Sequence, residues 1–77
     1  MDRIILQATL ERAERFVSEG DHLIARQKEL IMEMLAHSLD VSRYEETLAD
    51  FERSQRLHIE HVRTLKQDLI ASTPRRP

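Results

Sequence analysis

From Leu6 to Met34 the chain reads LQATLERAERFVSEGDHLIARQKELIMEM. Within it Leu6, Leu10, Ala13, Val17, Gly20, Ile24, Gln27, Ile31 and Met34 follow one another in alternating steps of four and three. Such steps keep one stripe of a helical surface free of charge, so the stretch predicts a long helix over 2–36 packed lengthwise on a partner. The alternation returns at Tyr44, Leu48, Phe51, Gln55, His58, Val62, Leu65, Leu69 and Ser72, and predicts a second helix over 43–72. Residues 37–42 fall between them as a turn. There Ser42 and Glu45 have the spacing of a capping box, with Asp40 as an alternative cap. Pro74 disfavours helix in the residue before it, so 73–77 read as a disordered tail.

A short connection makes two long helices antiparallel neighbours. With the turn centred near Leu39, facing positions should have numbers that add to 78 or 79. That register sets Met34 against Tyr44, Val17 against Val62, Ala13 against Leu65 and Gly20 against His58. A glycine inside a helix costs about 1 kcal/mol relative to alanine. The expectation is therefore that Gly20 makes room for the His58 imidazole.

The 77 residues suffice for one small domain over 1–72, and a single glycine with two prolines leaves almost no turn chemistry for a sheet. The fold class expected is all-α: an antiparallel two-helix hairpin. Absence of cysteine excludes disulfides, thiolate metal sites and a cysteine nucleophile. Fourteen acidic residues outnumber twelve basic ones, and two of the basic residues are Arg75 and Arg76. This balance is not the footprint of a nucleic-acid-binding surface. Neither a secretory leader nor a membrane span is legible, so the expected protein is cytoplasmic and touches no membrane.

A two-helix rod has no enclosed interior. Beside the seam of the first helix run Phe16, Leu23 and Leu30 at seven-residue spacing, and the second helix carries Leu57, Ile59 and Ile70 off its own seam. Two helices cannot cover all of these, so two hairpins should pair into a homodimeric four-helix bundle. The expected interface is Phe16, Leu23, Leu30, Leu57 and Ile59. An unidentified protein partner is the other occupant that such a surface admits.

Chemistry-bearing residues are few. His58 and His61 lie one turn apart and could hold a divalent metal, with His22 or Glu19 on the facing turn completing the set. The other reading makes His58 a seam histidine bonded to a polar neighbour such as Gln55, and His61 a rim residue. Gln27, Gln55 and His58 are the polar members of the seam, a position at which such residues fix register. A helical enzyme that held an anionic substrate would need inward Arg or Lys, and the seam contains none. Glu11/Arg15 and Glu52/Arg56 have the i, i+4 spacing of surface pairs. No catalytic residue and no cofactor is expected. The leading function is a non-catalytic interaction or scaffolding module, with a metal-binding or metal-dependent bundle protein as the alternative.

The stretch Glu19-Gly20-Asp21-His22-Leu23-Ile24-Ala25-Arg26-Gln27-Lys28-Glu29-Leu30-Ile31, followed by Thr47-Leu48, Phe51-Glu52, Gln55, Leu57-His58 and His61, resembles short uncharacterised two-helix proteins of rhizobia and related alphaproteobacteria. The resemblance implies a bacterial, cytosolic two-helix protein and carries no established activity.

Overall fold

The computed structural model describes residues 2–72. Its elements are two helices, α1 (Arg3–Ala36) and α2 (Ser42–Ala71), packed against each other as an antiparallel hairpin, with no strand among the described residues. Each helix end lies within a residue of its expected place. The tail expected over 73–77 lies outside the described residues. At about 1.5 Å per residue α1 is some 50 Å long.

Both ends of α1 are closed by local hydrogen bonds. The Asp2 carboxylate accepts from the Ile4 N–H at 3.2 Å, which satisfies one of the free donors of the first turn. At the other end Ser38 adopts a left-handed backbone, φ 57°. The Leu39 N–H then reaches back to the Met34 carbonyl at 2.9 Å, and the Ser38 N–H to the Leu35 carbonyl at 3.0 Å. Those two bonds are the Schellman pattern, here built without the glycine that usually occupies its left-handed position.

α2 starts differently from the capping box expected of Ser42. The Ser42 hydroxyl does not accept from the helix. It donates to Asp40 Oδ1 at 2.7 Å, and the Ser42 N–H donates to the same oxygen at 3.0 Å. An ionised carboxylate is the stronger acceptor, so Asp40 closes the turn ahead of the helix, while the cap position itself falls on Val41 with no side-chain cap bond, and neither expected cap forms. The Ser42 hydroxyl, and after it the Ser42 N–H, hold the Asp40 carboxyl below its ordinary 3.8. Glu45 sits in the first turn of α2, where the helix dipole favours an acid.

The seam residues of α1 are all buried or half-buried, as the four-three alternation requires. Their partners are displaced by one seam step from the expected register. A side chain at Gly20 would meet Gln55, not His58. Leu6, Leu10 and Ala13 cluster with Leu65, flanked by Val62 and Leu69. The Gln27 amide donates to the Tyr44 carbonyl at 2.9 Å. Gly20 with Gln55 and Leu10 with Leu65 have numbers that add to 75, and the long Gln27 side chain reaches about one turn further toward the start of α2.

Val41 is the cause. It is 8% exposed and extends the alternation backwards as Val41, Tyr44, Leu48, so the first layer beside the turn is Met34 over Val41. The expected register would have left Val41 outside and ended on Leu6 over Ser72. The observed one buries Val41 and ends on Leu6 over Leu69, which places apolar carbon on apolar carbon at both ends.

Candidate functional site

The most constrained chemistry lies halfway along the hairpin. Gln55 is 5% exposed, the one buried polar residue among those described. Its side-chain amide donates to the Val17 carbonyl at 2.7 Å and to Asp21 Oδ1 at 2.8 Å. Both donors of the amide are used, and the pair of acceptors fixes which end of the amide is nitrogen. The carbonyl end, Oε1, is turned into the space that a side chain at position 20 would occupy, where a Cβ would also lie 2.7 Å from Gln55 Cδ. Gly20 is therefore needed for close approach, and what it admits is an amide that crosses from α2 to the backbone of α1.

His58 occupies the next layer. Its ring stacks on Phe16 with centroids 5.8 Å apart and planes 26° from parallel, and its Nδ1 is buried with no hydrogen-bond partner among the described residues. The expected bond between His58 and Gln55 does not form: Val17 and Asp21 take both Gln55 donors, and Gln55 Oε1 is turned toward Gly20 and has no partner among the described residues. Asp21 is the participant missed by sequence reasoning. Its signal was position: it follows Gly20, on the turn that flanks the seam.

The metal-ligand candidates do not converge. Among the described residues no three His, Asp or Glu side chains are grouped to hold a metal ion. His22 lies two residues from the seam position Gly20, a rotation of about 200° that sends it to the side of α1 away from α2. Glu19 and His61 are exposed.

The apolar candidates divide between two faces. Leu23 and Leu30 line a groove of about 400 Å³ with Arg26, Glu33 and Phe51. Ile59 lines a different groove, of about 300 Å³, with Glu14, Asp21, Val62 and Lys66. On the first face Phe16, Leu23 and Leu30 are 48%, 50% and 38% exposed, a line of large side chains that α2 covers only in part, through His58 and Phe51. Leu57 is exposed as well. The surface ion pairs also differ from those expected at Glu11/Arg15 and Glu52/Arg56: Asp50 pairs with Arg53 at 2.9 Å and Glu60 with Arg63 at 3.3 Å, all exposed. Pairs of this kind contribute at most a few tenths of a kcal/mol.

No helix of the described residues is long and apolar enough to cross a membrane. No family model, curated protein or solved structure matches the chain.

Proposed function

We propose that the chain is a non-catalytic interaction module of the bacterial cytosol that works as a homodimer, two hairpins forming a four-helix bundle. The observation that carries this reading is the Phe16, Leu23, Leu30 line. Three large apolar side chains at heptad spacing, each at least a third exposed, form the kind of patch that marks an interaction site. The polar residues support the same class. Gln55 is spent on holding α1 to α2, and among the described residues no three His, Asp or Glu side chains gather to hold a metal ion.

Sedimentation equilibrium at micromolar concentration tests the reading. The expected mass is twice the 9.1 kDa of the chain. Leu23→Glu places a carboxylate in the buried interface without a partner, and should shift the protein to monomer or unfold it. Far-UV circular dichroism separates those two results. A fully helical wild-type monomer over the whole concentration range would overturn the dimer.

A further inference from the structure

The line on α1 continues into its charges. Arg12, Phe16, Glu19, Leu23, Arg26, Leu30 and Glu33 follow in steps of four and three, a second heptad seam beside the one that faces α2. Apolar and charged residues alternate along it, and the charges alternate in sign. All four charged residues are exposed. None of them makes an ion pair among the described residues, where the pairs are formed by Asp50 with Arg53 and Glu60 with Arg63.

We infer that this seam is a self-recognition surface: α1 packs on the α1 of a second copy, antiparallel about a twofold axis at Leu23, with Arg12 facing the partner's Glu33 and Glu19 facing the partner's Arg26. The inference rests on the homodimer proposed above and specifies its mode. About this axis Leu23 meets its own copy and Phe16 meets the partner's Leu30, so every apolar layer is matched. Every charged layer opposes unlike signs, four pairs in all. In an antiparallel pair like heptad positions flank the same side, which puts the charged positions of the two copies beside each other.

The alternatives are disfavoured by the same charges. Sliding the partner by one heptad sets Glu19 against Glu19 or Arg26 against Arg26. A slide of half a heptad sets charges against leucines, and a parallel arrangement faces each charge with itself. Attraction in one register and repulsion in its neighbours is how a helical surface specifies a single partner geometry. The seam lies roughly a quarter-turn around α1 from the surface packed on α2. The twofold axis then brings the two α2 helices side by side, and four helices complete the bundle.

Charge exchange at constant net charge tests the pairing. Arg12→Glu/Glu19→Arg makes all four cross pairs like-signed, and should weaken the dimer at least about tenfold by sedimentation equilibrium. Adding Arg26→Glu/Glu33→Arg to it restores every pair, and the fourfold variant should dimerise as tightly as wild type. A double variant that dimerises like wild type, or a fourfold variant that stays weak, overturns the pairing. Because the chain has no cysteine, Leu23→Cys provides a second readout. A short bis-maleimide should cross-link it to itself and leave Ile59→Cys uncross-linked, whereas the reverse result refutes the axis at Leu23. Should wild type be monomeric, the dimer reading itself fails; a dimeric wild type indifferent to these exchanges removes only the pairing.

Discussion

At residue scale the hairpin is defined by one contact between a residue with no side chain and a residue with a long one. The cost of a glycine inside α1 was legible in the sequence; its beneficiary was not, because the identity of the neighbour depends on a register that a single seam step can move. The structure assigns the space to Gln55. Gly20→Ala therefore opposes two effects. Alanine raises helix propensity by something under about 1 kcal/mol, while its methyl displaces an amide that holds two hydrogen bonds, a loss in the range of about 1–3 kcal/mol. The expected net effect is destabilisation. With Gln55→Ala in place the displacement has no target, and Gly20→Ala should become stabilising. Chemical denaturation of the four proteins at one fixed concentration measures the coupling, and additive effects would show that the amide does not depend on the glycine.

At the scale of elements, the two helices were readable because their periodicity extends over many turns, and the same alternation placed their ends to within a residue. The connection was less readable for two physical reasons. The left-handed position that ends α1 is filled by serine, so the usual glycine signal is missing. Val41, set between polar Asp40 and Ser42, reads as turn although its burial makes it the first seam residue of α2. The serine carries a testable consequence. A residue with a Cβ is strained at φ 57°, and glycine is not. Ser38→Gly should stabilise the hairpin by about 0.5–1 kcal/mol, and Ser38→Val, whose branched side chain tolerates this backbone least, should destabilise it. Thermal denaturation gives the order; a Val variant as stable as the Gly variant would mean that the turn relaxes into another geometry.

Over the whole molecule, burial is uneven in a way the alternation alone could not reveal, since every seam position counts equally in a periodic pattern. Leu6, Leu10, Ala13 and Leu65 form a tight cluster at the end remote from the turn, Ile31 and Val41 are buried beside the turn, and between them the buried residue is Gln55. The hairpin is thus fastened by hydrocarbon at both ends and by an amide at its waist. Local opening needs the least work where the least apolar surface must be exposed. In the isolated hairpin, backbone amides near residues 17–27 and 48–58 should exchange with deuterium faster than those near Leu10, Leu65 or Ile31. The axis inferred at Leu23 falls within this waist, so association would cover the segment that breathes most. Its amides should then slow most as protein concentration rises. Exchange measured across a hundredfold range of concentration reads this out: slowing greatest at the two ends of the hairpin would mean that the copies meet elsewhere, whereas slowing greatest at the waist would make the softest part of the hairpin the part that senses its partner.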